Sequence, residues 1–436
     1  MKPFGIVIVG CGTVGNATAV LLETQSELYA AKTGTCPVLK ALVDVNFTRA
    51  REAGLNEQLF QEDLNAVLSD PDVHLVVETV GGLTTARTII KKALKAGKHV
   101  VTANKALLAH HGADLFSLAR ENGVSIGFEA SCAGGIPIVR VIAESLLANR
   151  TEALYGIVNG TSNFILTEMV EKDRTYAQAL KAAQTAGLAE ADPTLDVNGM
   201  DAAHKLTLLA SVAFGEKIPL DAIPVEGIDG LDLLDVSTGT ELGYVLKLVA
   251  LARKTSEGLE LSVGPVFMPG SHPLARVSGP FNAVSVYGSA VGHTMYYGRG
   301  AGGSPTASAV VSDILSIALG TWPVLFSALR SWPDRGASAQ LADTGESVHR
   351  YYMRFMVNNE SGVLNQITEI LAAKNISVNA LLQKESSSTG FIPMVITTHP
   401  AREKDVAAAF SAVKNLPTVN SKAVRIRIID EQTESI

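Results

Sequence analysis

The first third of the chain alternates short apolar runs with stretches of helical periodicity. Five runs rich in Val and Ile, at residues 4–9, 38–45, 74–79, 98–102 and 124–128, predict buried strands. Helical patterns at residues 16–28, 84–96 and 114–122 lie between them. Strands that alternate with helices are typical of a doubly wound α/β domain with a parallel sheet.

A glycine motif follows the first strand directly and opens the first helix. The candidate residues are Gly10, Gly12, Thr13, Val14 and Gly15. In this strand–turn–helix context, the first glycine allows a tight turn, the second lets the backbone approach a pyrophosphate, and the third lets the helix pack on the strand. The segment therefore predicts a dinucleotide-binding fold.

Five polar residues at or after strand ends refine that prediction. Asp44 ends the second strand, where a ribose-binding carboxylate belongs, but Arg49 follows closely and could hold a 2′-phosphate, as could Arg51. NAD and NADP both remain open as cofactors. Thr79 ends the third strand and Lys105 follows the fourth, and the carboxyl ends of parallel strands face the ligand crevice.

The middle of the chain has a mixed pattern that predicts an α+β domain. Helices are expected at residues 137–147, 175–186 and 240–254, and strands at 154–158 and 259–268. A polar loop at 159–163 could bind substrate or cap a helix, and Gly187 is expected as a helix C-cap. A second glycine-rich loop, 297–303, precedes a helix at 306–319, where the chain is expected to return to the first domain.

The stretch from Glu190 to Lys205 concentrates the candidate chemistry. Glu190 and Asp196 precede a helix that carries Asp201 and Lys205 at i and i+4, on one face with Leu208. An ordinary surface ion pair is the alternative. A lysine on an apolar face is instead expected to be buried, where its pKa can fall toward a value useful for proton transfer. We interpret the stretch as an acid/base centre with a polar substrate pocket.

Glu129 and the small residues after it form another candidate site at a strand end. Cys132 suggests a thiolate nucleophile, but no neighbouring His or cation in the sequence would lower its pKa. The turn also exposes backbone carbonyls, and Glu129 could either bind a hard cation with them or cap the turn.

The last segment has its own pattern. Residues 331–347 are polar, with Pro and Gly, and predict a linker. Beyond it, strands at 351–357, 377–383, 391–397 and 423–429 and helices at 363–374 and 404–414 follow the order β-α-β-β-α-β, the ferredoxin-like order.

Composition limits the classes of function. The 436 residues carry a net charge of -7, which gives no basic surface for nucleic acid. No apolar run reaches the length of a membrane span, so no membrane partner is expected. The three cysteines show no metal-ligand spacing, and such sparse use fits a reducing cytoplasm.

Several motifs together resemble those of homoserine dehydrogenases in residues 4–320, and NNESGVLNQI at 358–367 resembles an ACT domain. The matching stretches are GCGTVGNATAVLL, ETVGG, TANKALLA, FEASCAGGIPI, NGTSNFIL, AGLAEADPTLDVNGMDAAHKLTLLA and YYGRGAGGSPTASAVVSDI. The resemblance implies a Rossmann domain at 1–135, with return at about 300–330, and a catalytic and dimerisation domain at 136–299. A linker at 331–348 and a ferredoxin-like ACT regulatory domain at 349–436 complete the expected order.

The resemblance also implies the activity, interconversion of L-homoserine and L-aspartate 4-semialdehyde with NAD or NADP, and assigns roles. Lys205 matches the catalytic lysine and Lys105 the lysine near nicotinamide and substrate. The implied homoserine-binding carboxylates are Glu190 and Asp201, next to Asp196, and Gly187 and Gly302 match cofactor-contacting glycines. A sodium-type cation would be held by Glu129 and the backbone carbonyls of Cys132, Gly134 and Ile136.

Threonine is the leading effector hypothesis for the ACT domain, at the helix N-terminus after Asn358 and Asn359, and a homodimer or homotetramer is expected. A dimerisation-only role for this domain is the alternative. A thiol-dependent semialdehyde dehydrogenase using Cys132 and a non-catalytic amino-acid sensor are the rival functions.

Overall fold

A computed structural model describes residues 2–383 and 390–431, apart from the side chains of Lys2 and Ser421. Residues 384–389 and 432–436, which fall in the predicted ACT domain, lie outside the described residues, as does residue 1.

The N-terminal domain is a parallel sheet covered by helices. Within the described residues its strand order is β3-β2-β1-β4-β5-β6, the dinucleotide-binding order. The strands are β1 (Lys2–Val9), β2 (Thr35–Val43), β3 (Phe60–Gln61), β4 (Val73–Glu78), β5 (His99–Thr102) and β6 (Ile126–Gly127). The helices are α1 (Thr13–Thr24), α2 (Ser26–Thr33), α3 (Thr48–Glu52), α4 (Leu64–Leu68), α5 (Thr84–Lys95) and α6 (Lys105–Glu121). The helix predicted at 16–28 is two helices that break at Gln25.

The middle domain packs helices on an antiparallel sheet. Its helices are α7 (Ile138–Arg140), which continues as a π-helical turn (Val141–Ser145), α8 (Gly160–Lys172), α9 (Tyr176–Thr185), α10 (Thr194–Val197), α11 (Met200–Phe214) and α12 (Leu233–Glu241). Its strands are β7 (Thr151–Ile157), β8 (Tyr244–Lys254), β9 (Leu259–Pro269), β10 (Phe281–Gly288) and β11 (Gly292–Arg299). Then α13 (Gly303–Ala318) packs against α1, and α14 (Thr321–Ala328) follows.

The predicted helix at residues 240–254 is wrong, because most of it forms β8. The strand is buried on both faces along its centre, so its apolar run shows no polar alternation. Periodicity alone cannot separate such a run from a buried helix. The sequence patterns also do not predict the hairpin of β10 and β11. Tyr297, the predicted start of the glycine-rich loop, lies within β11.

The C-terminal domain has the predicted β-α-β-β-α-β order. Its elements are β12 (Val348–Asn358), α15 (Val363–Ala373), β13 (Val378–Gln383), β14 (Phe391–Thr398), a short β15 (Ala401–Arg402), α16 (Glu403–Lys414) and β16 (Val419–Ile428). Strand β16 pairs in parallel with β9 of the middle domain. The two domains therefore share one sheet, ten-stranded within the described residues.

The segment 331–348, which its composition predicts to be a linker, is packed against the rest of the chain. Trp332 is fully buried in an aromatic cluster with Phe116, Phe128 and Trp322. Further on, Leu341 forms a β-bridge with Leu259. The linker prediction rested on the Pro, Gly and polar content of the segment and did not take into account Trp332, whose side chain anchors the segment.

Among the described residues, no single helix is long and apolar enough to cross a membrane. The pair α13 and α14 reaches that length and composition only together, and it bends by 84° at the junction. Trp322 of α14 donates a hydrogen bond to the Ile126 carbonyl, which ties this pair to the N-terminal sheet.

Candidate active site

Helix α11 carries the central side chains and is buried on nearly all sides. Gly199 precedes it with a φ of 86°, a left-handed conformation that favours glycine. Asp201 and Lys205 are 7 % and 8 % exposed, as predicted for a buried pair. The polar residues Thr207 and Ser211 of the same helix are buried as well. The helix is thus a core element rather than a surface helix with one apolar face.

Two lysines share one carboxylate. Lys205 Nζ lies 2.6 Å from Asp201 Oδ2 and also donates to the Val158 carbonyl at 2.6 Å. Lys105 Nζ lies 3.0 Å from the other oxygen, Asp201 Oδ1. Lys105 starts α6, far from α11 in sequence, so only the fold brings the two lysines together.

An asparagine of the polar loop 159–163 orients two of the carboxylates. Asn159 Nδ2 lies 2.8 Å from Asp196 Oδ1 and 2.9 Å from Asp201 Oδ2. Its own Oδ1 accepts the Ser162 N–H and caps α8. The loop was predicted either to bind substrate or to cap a helix; it caps a helix and also holds the carboxylate pair.

Charge and burial within this cluster shift the pKa values of Asp201, Lys105 and Asp196. Burial alone would raise the pKa of Asp201, but Lys205 and Lys105 outweigh it and hold that pKa below its usual value. Asp201 in turn raises the pKa of Lys105. Burial raises the pKa of Asp196. At neutral pH, Asp201 is therefore an anion and Lys105 a cation.

A cleft of about 720 Å³ lies over this cluster and reaches the glycine motif. The residues around it that sequence reasoning singled out are Thr13, Val14, Thr79, Lys105, Gly187, Glu190, Asp196, Asp201 and Gly302. Glu190 is exposed at the cleft, and Lys205 is more deeply buried than Lys105, with 10 % of its side chain exposed against 40 %. The structure thus joins the predicted cofactor and substrate residues in one space.

The glycine motif has the geometry its sequence predicts. A Cβ on Gly15 would lie 1.9 Å from the Gly10 carbonyl oxygen, so helix α1 approaches too closely for any other residue. Gly10 has a φ of 105°. A Cβ on Gly12 would meet nothing within 4 Å, which leaves its backbone open to a ligand at the start of α1.

Asp44 is tied to the glycine motif. Its carboxylate accepts hydrogen bonds from the N–H groups of Cys11, at 2.5 Å, and Val45, at 2.6 Å. Nearby, the exposed Arg49 lies 3.3 Å from the Thr13 hydroxyl, whereas Arg51 forms an ion pair with a glutamate. Of the two arginines, Arg49 lies closer to the glycine motif.

Sequence reasoning missed three polar residues along the cleft. Glu78, fully buried, accepts the N–H groups of Val80 and Gly81 and the Thr102 hydroxyl, and so shapes the loop after β4. Asn104 donates to the Gly82 carbonyl and caps α6, where Lys105 begins. His204, beside Lys205, also lines the cleft. Their positions at strand ends and next to a candidate lysine were the available signals.

Glu129 lies outside the cleft, in a separate buried site. Its carboxylate accepts the N–H groups of Val139 and Arg140, at 2.8 and 2.9 Å, as a cap of α7 would. Burial and the neighbouring Asp313 raise its pKa to about 8. Cys132 is fully buried, which raises its pKa to about 12 and disfavours the thiolate that a covalent mechanism needs.

An NAD(P)-dependent oxidoreductase is defined by the parallel sheet of the N-terminal domain, its glycine motif and the cleft with the buried lysine–carboxylate cluster. The C-terminal domain, with its β-α-β-β-α-β order, is an ACT domain. Comparison with known families agrees. The homoserine dehydrogenase family model matches residues 137–315, its NAD binding domain model matches residues 10–129, and the ACT domain model matches residues 351–418.

Individual relatives extend over the full chain. A homoserine dehydrogenase of Pseudomonas aeruginosa is 42 % identical over 98 % of this chain and 99 % of its own length. The crystal structure of a homoserine dehydrogenase from Thiobacillus denitrificans superposes with a TM-score of 0.92 at 40 % identity, covering 99 % of both chains. A hyperthermophilic archaeal homoserine dehydrogenase in complex with NADPH matches 73 % of this chain and 98 % of its own, with a TM-score of 0.61 at 27 % identity.

The chain belongs to the homoserine dehydrogenase family. It is an enzyme that interconverts L-homoserine and L-aspartate 4-semialdehyde with a nicotinamide cofactor, a reaction of amino-acid biosynthesis.

Proposed function

We propose that Lys205 and Lys105, held by Asp201, carry the proton chemistry of homoserine oxidation. The supporting observation is the shared carboxylate: Asp201, which lines the cleft with Lys105, holds the amino groups of both lysines. Nicotinamide, when bound, accepts the hydride from the alcohol carbon. Lys205 is the proposed general base for the hydroxyl proton, and the general acid in reverse. Oxidation of homoserine, followed by formation of reduced cofactor with NAD and NADP side by side, tests the reaction.

The substrate ammonium is proposed to bind Glu190, next to Asp196, while Asp201 holds the two lysines. Glu190 is exposed at the cleft, and Asp196 lies beside the Asp201 cluster. Replacing Glu190 with Gln should raise KM for homoserine and leave KM for the cofactor unchanged. An unchanged KM for homoserine would remove Glu190 from the set.

The cofactor is proposed to lie along the glycine motif, with Gly187 and Gly302 on its other side and NADP favoured over NAD. Asp44 already accepts backbone N–H groups, and Arg49 is exposed beside Thr13. An arginine at this position can accommodate a 2′-phosphate. The similar archaeal enzyme in complex with NADPH is consistent with this proposal.

A monovalent cation such as sodium is proposed at Glu129 with the carbonyls of Cys132, Gly134 and Ile136. Two observations support the fit. Burial raises the pKa of both the Glu129 and the Asp313 carboxyl, so a bound cation would stabilise their ionised forms in addition to Arg140, which contacts both. The turn also carries a left-handed Gly134, with a φ of 51°.

The cation proposal has a test that does not depend on activity. Binding requires the Glu129 carboxylate to be ionised, and its pKa is raised to about 8, so sodium should stabilise the fold more at pH 9 than at pH 6. The measurement is the melting temperature in sodium and in a large organic cation at equal ionic strength, with Glu129→Gln as control. Equal melting temperatures in the two salts at pH 9 would exclude a bound sodium.

We further propose a homodimer or homotetramer in the cytoplasm. Strand β11 is an edge of the shared sheet and exposes Met295 (39 %) and Tyr297 (54 %). The free cysteines, two of them buried, fit a reducing compartment. Light scattering of the protein and of Tyr297→Lys tests the oligomer, which the added charge should weaken.

The ACT domain is proposed to bind threonine as feedback effector near Asn358 and Asn359. Gly362 has a φ of 92° and leads directly into α15, whose first N–H groups can receive a carboxylate. Inhibition of the full-length enzyme by threonine, and its loss in Asn359→Ala, would support the proposal. Because β16 pairs with β9 of the middle domain, the test keeps the whole chain.

A further inference from the structure

Two neighbouring loops at the cleft are joined by a network of side-chain hydrogen bonds. One is the loop 79–82, which follows β4 and lines the cleft beside the glycine motif. The other is the turn into α6, which follows β5 and leads to Lys105. Strands β4 and β5 are parallel neighbours with Glu78 opposite Thr102, so both loops leave the sheet at the same edge.

Glu78 is the centre of this network, and its side chain is fully buried. Its Oε1 accepts the N–H groups of Val80 and Gly81 at 2.8 and 3.0 Å, and its Oε2 accepts the Thr102 hydroxyl at 2.7 Å. Within the described part of the chain it has no ion pair. A buried carboxyl group is costly unless hydrogen bonds replace its hydration, so the carboxylate and its three donors hold one another in place.

Two further residues extend the network to α6. The Thr102 hydroxyl, which donates to Glu78, accepts the Asn104 N–H at 3.0 Å. The Asn104 side chain reaches back to the first loop, where its Nδ2 donates to the Gly82 carbonyl at 2.7 Å. Its Oδ1 caps α6 by accepting the Leu107 N–H at 3.0 Å. The loop and the helix are therefore joined at two separate points.

Both ends of the network lie at the cleft. At the loop, the Thr79 hydroxyl donates to the Gly10 carbonyl at 2.8 Å, and a Cβ on Gly81 would meet nothing within 4 Å, so the loop backbone is open to a cofactor on the glycine motif. At the helix, Lys105 is the first residue, and its Nζ lies 3.0 Å from Asp201 Oδ1. A shift of the loop relative to α6 would therefore change the distance between a bound cofactor and the Lys105 amino group.

We propose that Glu78, Thr102 and Asn104 are positioning residues for homoserine oxidation. They hold the loop 79–82 and Lys105 in one fixed arrangement without contacting the reacting atoms. Their effect on turnover rests on the proposed roles of Lys105 and of the glycine motif. Misplacement of a reacting group by about 1 Å can lower a rate about 100-fold, so such a network can control the rate of hydride transfer.

Three variants and a matched control test the network in the full-length enzyme. Thr102→Val removes the hydroxyl and keeps the volume and branching of the side chain, whereas Thr102→Ser keeps the hydroxyl. Asn104→Ser keeps a cap for α6 but is too short to reach the Gly82 carbonyl. Thr398→Val, in the C-terminal domain, is the control: Thr398 is as fully buried as Thr102, and its hydroxyl accepts the Tyr351 N–H at 3.0 Å.

Two measurements separate positioning from stability. The first is the rate of cofactor reduction in a single turnover at saturating homoserine, and the second is the Kd of the reduced cofactor, followed by its fluorescence without homoserine. Thr102→Val and Asn104→Ser should each lower the rate about tenfold or more and raise the Kd, because the loop is no longer held against α6. Thr102→Ser should recover most of the lost rate. Thr398→Val should melt early, as Thr102→Val does, and keep both the rate and the Kd.

The unmodified rate and Kd in both Thr102→Val and Asn104→Ser would overturn the proposal. An equal loss of rate in Thr398→Val would also overturn it, because the effect would then come from stability. If Thr102→Val does not fold, Asn104→Ser decides alone, since Asn104 is only partly buried. Failure of the proposed role of Lys105 has its own signature: Lys105→Met would keep its rate, and an unchanged Kd in Asn104→Ser would then refute the positioning of the loop.

Discussion

Replacement of Lys205 by Met is the sharpest test of the proposed chemistry, because methionine fills a similar volume without the amino group. The structure indicates that the fold should survive. Asp201 keeps Lys105 at 3.0 Å and Asn159 at 2.9 Å, and the Val158 carbonyl keeps the Asn282 amide at 3.0 Å. With each former partner still hydrogen bonded, the loss of stability should be about 1–3 kcal/mol, which denaturant unfolding can measure.

The effect on turnover should be much larger. A lost general base lowers kcat about 100-fold or more. The assay is kcat for homoserine oxidation at saturating substrate and cofactor, in Lys205→Met, in Lys105→Met and in Lys95→Met, an exposed lysine at the end of α5. Lys95→Met should match the unmodified enzyme. If Lys205→Met keeps more than about a tenth of kcat, the assignment is wrong. A loss confined to Lys105→Met would then identify Lys105 as the base.

Three further predictions concern the cofactor and the domain interface. Arg49→Gln should raise KM for NADP about tenfold and leave KM for NAD unchanged, while Arg51→Gln should change neither KM. If Arg49→Gln changes KM equally for both cofactors, Arg49 does not contact a 2′-phosphate. Burial alone would raise the pKa of Glu260, but His349 and Arg253 hold that pKa at about 2. The native state should therefore lose about 3 kcal/mol of stability as pH falls from about 5 to 2, and Glu260→Gln should lack this loss. Asp235→Ala should cost about 3–5 kcal/mol, because it leaves the buried Arg354 unpaired; a change under about 1 kcal/mol in chemical unfolding would show that the pair is dispensable.

Local patterns explain why the N-terminal fold could be predicted. Each of its long strands is an apolar run, and the glycine motif sits at the strand–helix junction that it requires. The same reasoning failed at β8, where burial on both faces removes the alternation that marks a strand. It also could not predict that β16 would join β9, because no local signal specifies which edge strand another domain will pair with.

In the candidate site, too, the contacts between residues close in sequence could be predicted, and those between distant residues could not. The pair Asp201 and Lys205 is four residues apart on one helix, so the sequence alone indicated it. The contacts of Lys105 and Asn159 with Asp201 span 96 residues (201 minus 105) and 42 residues, and only the fold creates them. Resemblance to the family pointed to Lys105 but not to Asn159. The buried Arg354–Asp235 pair, 119 residues apart, had no signal in the sequence.

The hydrogen bonds of Asp201 favour a positioning role over direct binding of the substrate ammonium. Its Oδ1 faces Lys105, and its Oδ2 accepts from both Lys205 and Asn159. An ammonium group that bound there would have to approach two lysines, and like charges at such distances repel. Glu190, exposed at the cleft, has no such neighbour competing for its carboxylate in the described part of the chain. The geometry therefore favours Glu190 for the ammonium, and it leaves Asp201 to fix the two amino groups where the alcohol proton must go.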